Sequence, residues 1–453
     1  MDLQALVHDV TAVVATGVPA AVRHHAGLVL ADTVGAMIAG GRAPELAALA
    51  ATCDPRPQAE VAVPGHPRVG AAAAAAVNAM AGVWLEIDED SKPGGHVAAQ
   101  VLPAVLAVAQ RDGLSGEQLL RGLVAGYEVA AALYAMYDLR YPVHPHGLFG
   151  AVGAAVGAAV ARGDDPGPPA RIASNLLPVG VWDPCTEGAT VRHVLAADAA
   201  AMGVRAAELA AAGIGPSATV LDSLTAALGC RVRQANPAHA GHGWRHAQIT
   251  RNTFKIHSAC LHAHAAIEAA LAVRRPALDP AEIRSVTVAV MSGAAERIGA
   301  LPRPNSLSTR FSIPYAVATA LLRGEASVTA MGYDAHAFAL AEKVRLVVDD
   351  SHARAGEPIG GATVTVDTAT GTRRARVDRP RGVCDNPVSE EELRAKFVTV
   401  VGGAGAEAYF GFLVEVFDAP VVKRVLGHGL SAGPREDRDP LATFGTPRGK
   451  KIL

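Results

Sequence analysis

Cysteine, aromatic side chains and runs of one charge are all scarce in this chain of 453 residues. Its five cysteines (Cys53, Cys185, Cys230, Cys260 and Cys384) are odd in number, far apart and never spaced Cys-x-x-Cys. That argues against a disulfide framework and fits a reduced, cytoplasmic compartment. The formal net charge is −2, and no dense Lys/Arg run occurs before the last few residues. A general nucleic-acid binder would carry a basic face, so no nucleic-acid partner is expected. The uncharged runs from Gly70 to Leu85 and from Gly147 to Ala161 are too short, and too rich in Ala and Gly, to cross a bilayer. Asp2, His8 and Asp9 stand where a secretory signal would be basic and then apolar, so neither export nor a membrane partner is expected. There is no G-x-G-x-x-G before a helix, no P-loop, no H-E-x-x-H and no internal repeat.

What is present is apolar and small. Half the residues are hydrophobic but only 4% are aromatic, and 46 are glycine. An interior of Ala and Gly lets helices approach closely, and this length exceeds one core, so two domains are expected. Helical spacing runs through residues 20–40, 70–84, 98–111 and 147–162, with Pro103 placed in a first turn and Gly113 as a stop. Ser115-Gly116-Glu117-Gln118 reads as a capping box opening a helix through Tyr137. The pattern changes near residue 275. Ser-Val-Thr-Val-Ala-Val between Arg284 and Met291 alternates like a strand, as does Lys343–Val348, and 361–367 with 372–378 reads as a hairpin. Ser389 and the glutamates after it cap a helix near 390–399, and helical spacing returns from Ala408 to Leu426. The expected fold is mainly α: a large all-helical domain formed by both chain ends (1–270 and 403–453) plus a smaller inserted α+β domain (271–402). The Pro/Gly-rich tail from Leu430 reads as loosely held.

Chemistry concentrates in three places. Glu86-Ile87-Asp88-Glu89-Asp90 packs four carboxylates into five residues, and His96 follows ten residues after Glu86. Buried, such a cluster is costly unless its charge is balanced or shared; exposed, it is a solvated turn. The other two are His144-Pro145-His146-Gly147 and Phe254-Lys255-Ile256-His257-Ser258-Ala259-Cys260. Acids, imidazoles and a lysine on an otherwise apolar helical chain are the parts of a general acid/base site.

In order and spacing these segments resemble the MmgE/PrpD family, which includes 2-methylcitrate dehydratase, cis-aconitate decarboxylase and iminodisuccinate epimerase. The resemblance runs over nearly the whole chain. It rests on Leu30-Ala31-Asp32-Thr33-Val34-Gly35, the acidic loop with His96 and Val101-Leu102-Pro103, Leu123-Val124-Ala125-Gly126-Tyr127-Glu128-Val129, and His144-Pro145-His146-Gly147. Phe254-Lys255 with His264, Phe311-Ser312-Ile313-Pro314-Tyr315 and Asp385-Asn386-Pro387 complete it. It implies the same two-domain fold, a homodimer and no organic cofactor. Two departures stand out. Many members carry Asp-aromatic-Asp-Asp-Thr where this chain has Glu86–Asp90, and a lysine about where Arg192 stands.

The family reactions move a proton on a carbon next to a carboxylate, which needs an acid/base group and nearby cations. His144 is the first candidate, tuned by the helix that follows it; the alternative is a turn-capping histidine before Pro145. Lys255 either serves the substrate carboxylate, as cation or proton donor, or lies along the surface. Glu86 and Asp88 either orient His96 and bind a polar substrate group or sit in a solvated loop. Arg192 suits a carboxylate, or pairs with Glu187 at the surface. His146, His257, Cys260 and His264 are further substrate-binding candidates. Cys260 and His264 share a helix face, but no second ligand pair has metal spacing, so no metal is expected. The expected activity is a cofactor-independent lyase, a hydratase/dehydratase acting on a small di- or tricarboxylate. An epimerase or decarboxylase is the alternative. A non-catalytic relative has no need of His96, His144 and Lys255 together.

Overall fold

The computed structural model describes residues 2–91, 94–233, 243–274, 278–354 and 357–427. The tail expected to be loosely held lies outside the described residues. The chain divides into two compact units. Among the described residues, one gathers those up to Asp183, Thr190–Ile256 and those from Arg381 to Gly427; the other comprises Pro184–Ala189 and His257–Pro380.

The first unit is helical. Its core helices are Ala20–Gly40, Ala71–Val83, Val97–Asp112, Gly116–Met136, Leu148–Arg162 and Val194–Ala211. Small residues decide how closely they pack. A Cβ on Gly126 would run into the Gly153 carbonyl oxygen, and one on Gly153 would meet that of Gly126 at 2.5 Å. One turn along, a Cβ on Gly122 would stand 2.6 Å from the Gly157 oxygen. Gly116–Met136 is long and apolar enough to cross a membrane, but most of it is buried among these neighbours, as in a core helix. The capping box is formed: the Gln118 amide donates to Ser115 Oγ at 3.3 Å, and Gln118 Oε1 accepts from the Ser115 amide at 3.0 Å. Pro103 is inside Val97–Asp112, not in its first turn, so the Ala99 carbonyl loses its helical donor.

The second unit carries a four-stranded sheet in the order Val344–Val348, Ile283–Val290, Ala362–Thr368, Gly371–Val377. The first pair is parallel and the others antiparallel, with Ala362–Thr368 and Gly371–Val377 forming the expected hairpin. Alternation decides which face is buried: Ile283, Val286, Val288 and Val290 point into the core with Val364 and Val366. Helix His264–Arg274 packs on the hairpin strands, and Ile313–Arg323 packs against it and on Val344–Val348.

The units divide after Ile256 and Pro380, where the strand pattern suggested 270 and 402. Strand alternation marks where a sheet begins, not which helix covers it: His264–Arg274 goes with the sheet. Glu390–Val401 packs instead on Ala20–Gly40 and belongs to the helical unit. Beyond it the helical spacing expected to Leu426 yields only Ala406–Val414 and the short turn Val416–Asp418.

The glycine contacts make a stability prediction. Gly126→Val should destabilise the protein by about 1–3 kcal/mol through overpacking. A urea midpoint equal to that of the unaltered protein would mean that these helices do not pack this closely.

Candidate active site

The acidic loop is buried, not solvated. Glu86, Asp88, Glu89 and Asp90 are 1%, 0%, 0% and 8% exposed. Their charge is met inside the same unit. Arg192, itself buried, makes an ion pair with Glu86 Oε1. Lys255 Nζ lies 3.4 Å from Glu86 Oε2 and 3.3 Å from Asp88 Oδ1. His96 Nδ1 is 2.7 Å from Asp88 Oδ2, and its Nε2 is 3.9 Å from Asp90 Oδ2. The surface alternatives for Lys255, and for Glu86 and Asp88, therefore fall away. So does the surface placement of Arg192, which also donates to the Val83 carbonyl at 3.3 Å.

Local structure explains how distant residues meet. The loop leaves helix Ala71–Val83 and is pinned at its middle by Lys396, which donates to the Ile87 carbonyl at 2.7 Å and to Asp32 Oδ1 at 2.6 Å. At its end, Asp90 and Thr253 exchange backbone hydrogen bonds of 2.9 and 2.7 Å, which brings Lys255 alongside. A 3-10 turn, Thr190–His193, delivers Arg192. Glu86 and His96 both hold left-handed backbones, with φ of 54° and 46°. Such strain costs about 1–3 kcal/mol per residue and gathers at functional sites.

His144 and His146 line the same cluster. The His144 amide donates to the Gly180 carbonyl at 2.9 Å, and the Gly147 amide donates to Gln100 Oε1 at 2.8 Å. The His146 ring meets both the His96 and the His144 rings edge-on, with centroids 4.4 and 4.8 Å away. Both of its nitrogens are buried without a hydrogen-bond partner among the described residues. His144 Nδ1 accepts from the His146 amide at 3.0 Å. A neutral ring held that way carries its proton on Nε2 and presents a donor.

The electrostatics separate the imidazoles. Burial would lower the His96 pKa, but Asp90 and Asp88 outweigh it and hold the ring above its ordinary 6.5. Burial pushes His144 and His146 well below that value, and Arg192 and His96 add to the effect. The cause expected for His144 was the helix after it; burial and neighbouring cations account for the shift instead. Burial would raise Asp88, yet Lys255, then His96 and Arg192, keep it below the usual carboxylate range. At Glu89 burial outweighs the hydrogen bonds from the Ala98 amide and Tyr127 and the charge of His96, and lifts the carboxyl to about 8.

Asp88, His96 and His146 bring ligand-type atoms within 4.8 Å of one another. By donor type they could hold a transition metal. Lys255 Nζ, 3.3 Å from Asp88 Oδ1, already supplies positive charge to that carboxylate. His257, Cys260 and His264 belong to the second unit. There the His257 and His264 rings lie 5.1 Å apart, and His264 Nε2 is 3.2 Å from the Ala259 carbonyl oxygen. Sequence reasoning missed Glu89, Gln100, Tyr127 and Lys396 as supports of the site. Only Glu89 and Tyr127 carried a signal, lying inside motifs already singled out.

No curated protein matches the chain. Residues 4–238 match the MmgE/PrpD N-terminal domain and residues 257–409 the MmgE/PrpD C-terminal domain. The chain therefore belongs to the MmgE/PrpD family, whose members are generally enzymes, dehydratases and their relatives.

Proposed function

We propose that this protein is a cofactor-independent lyase, a hydratase/dehydratase that moves a proton on the carbon next to a carboxylate of a small di- or tricarboxylate. The observation that carries this reading is the Asp88–His96 pair. Asp88 holds Nδ1 at 2.7 Å, which leaves Nε2 for proton transfer. His96 thereby takes the base role expected of His144, whose Nδ1 is already engaged. His144 donates its Nε2–H to the oxygen on which charge develops, and Lys255 adds positive charge there. The proton that His96 removes is the one the β-hydroxyl needs to leave as water, so one imidazole closes the proton balance. An epimerase returns the proton to the other face of the carbon and needs a second acid/base group; His144, whose ring packs against the same His146 ring, is the candidate. Incubation with a panel of small di- and tricarboxylates in deuterated water tests the reading. Elimination of water from a hydroxy acid, or its addition to an unsaturated one, supports the lyase, and deuterium uptake without elimination supports the epimerase.

His96→Asn should cut turnover by about a hundredfold or more while the fold is kept. Turnover near that of the unaltered enzyme would remove His96 from the mechanism. Lys255→Ala should weaken binding as well as turnover, and should destabilise the fold by about 3–5 kcal/mol, because it leaves Glu86 and Asp88 buried without their shared cation.

The pH profile has a defined sign. A base works only when neutral, so kcat/KM should fall as pH drops through the His96 pKa, which lies above 6.5. Asp88 raises that pKa, so Asp88→Asn should move the acidic limb to lower pH. An unmoved limb would mean that another group titrates. Activity should also survive exhaustive chelation. Loss that one metal restores would make Asp88, His96 and His146 a metal centre instead.

A further inference from the structure

Helix Val97–Asp112 opens at His96 without a side-chain cap of its own. Its first turn is held from the acidic loop instead. Asp90 Oδ1 accepts from the His96 amide at 3.2 Å, and Glu89 Oε1 accepts from the Ala98 amide at 2.5 Å. Glu89 Oε2 meets the Tyr127 hydroxyl at 2.9 Å, which ties the same carboxyl to helix Gly116–Met136. The backbone that carries His96 in its left-handed conformation is thus clamped between two helices by one buried side chain.

We propose that Glu89 is a positioning residue: by bridging Tyr127 and the Ala98 amide it holds the strained turn from which His96 reaches Asp88. The assignment rests on the reading of His96 as the proton-transfer group, and it adds a residue that touches no substrate. The groups facing Glu89 are Asp90 on its own loop, His96 and the Ala98 amide at the helix start, and Tyr127, which is itself influenced by Glu128. Burial keeps the carboxyl protonated near neutrality, at about 8. A protonated carboxyl accepts from the Ala98 amide at one oxygen and can donate from the other to the Tyr127 oxygen, since a hydroxyl accepts as well as donates, and an amide can imitate both bonds. The clamp therefore works through shape and hydrogen bonding, not through charge.

The test reads the ring directly and needs no substrate. The whole protein is labelled with ¹⁵N-histidine, and the His96 signals are assigned by their loss in His96→Asn. The unaltered protein should show a protonated Nδ1 hydrogen-bonded to Asp88 and a titration midpoint above 6.5. Glu89→Gln should keep both. Glu89→Ala should lose the Nδ1–H signal and move the midpoint down by about one unit. Tyr127→Phe, which deletes a single hydroxyl, should move it the same way by less, and it carries the test if Glu89→Ala does not fold. Unchanged His96 signals in folded Glu89→Ala or Tyr127→Phe would overturn the proposal. So would a Gln variant that shifts as far as the Ala variant, since that would assign the effect to charge. If the ring responds as expected but His96→Asn keeps its turnover, the positioning stands and the proposed function fails.

Discussion

Four carboxylates cannot be buried in five residues unless cations are buried with them, and much of the helical unit is arranged to satisfy that demand. An ion taken into a protein interior costs several kcal/mol, recovered only where its partners are close and well directed. Arg192 and Lys255 arrive from segments far along the chain, and each is fully enclosed beside Glu86. His96 supplies the third positive group. Where burial outweighs the neighbouring positive charge, as at Glu89, the carboxyl keeps its proton. Charge compensation, not apolar packing, therefore specifies how the loop sits, and it explains why an otherwise apolar helical core tolerates this sequence.

Rigid surroundings are what allow the loop to hold two left-handed, non-glycine backbones. The strain at Glu86 and His96 persists because neighbours over-determine it: Lys396 on the Ile87 carbonyl, the Asp90–Thr253 pairing, and the two caps on the first turn after His96. Tyr127, which holds Glu89, sits on helix Gly116–Met136, packed glycine to backbone against Leu148–Arg162 with little slack to let the turn relax. The small residues that make the composition look plain thus help to fix the imidazole.

Much of the helical unit was legible because helical periodicity, Ser115 with Gln118, and Ser389 with Glu392 are local signals. The strands were legible for the same reason, since alternation is written into neighbouring residues. What was not legible is tertiary. The sheet's covering helix His264–Arg274, the return of Glu390–Val401 to Ala20–Gly40, and the burial of the acidic loop all depend on which surfaces meet. A charge run reads as solvated until its partners are placed, and Arg192 and Lys255 cannot be assigned to Glu86 from spacing. The His144 tautomer was not legible for a finer reason: it depends on one backbone amide, that of His146.

For the proposed reaction, with His96 as base and a carboxylate as substrate, the same charge balance imposes a conflict on the site. With Glu89 neutral, the carboxylates of Glu86, Asp88 and Asp90 face the positive groups Arg192, Lys255 and protonated His96. When His96 gives up its proton the cluster becomes net negative, which opposes an anionic substrate. A protonated His96 favours binding, whereas a neutral His96 is the form that can take a proton from carbon. An arriving carboxylate therefore stabilises the unreactive form of its own base. The site eases this only if the substrate's charge is met elsewhere at the moment of transfer. His144 suits that task, because it is buried, neutral and turned to donate, and so contributes a hydrogen bond without altering the charge count.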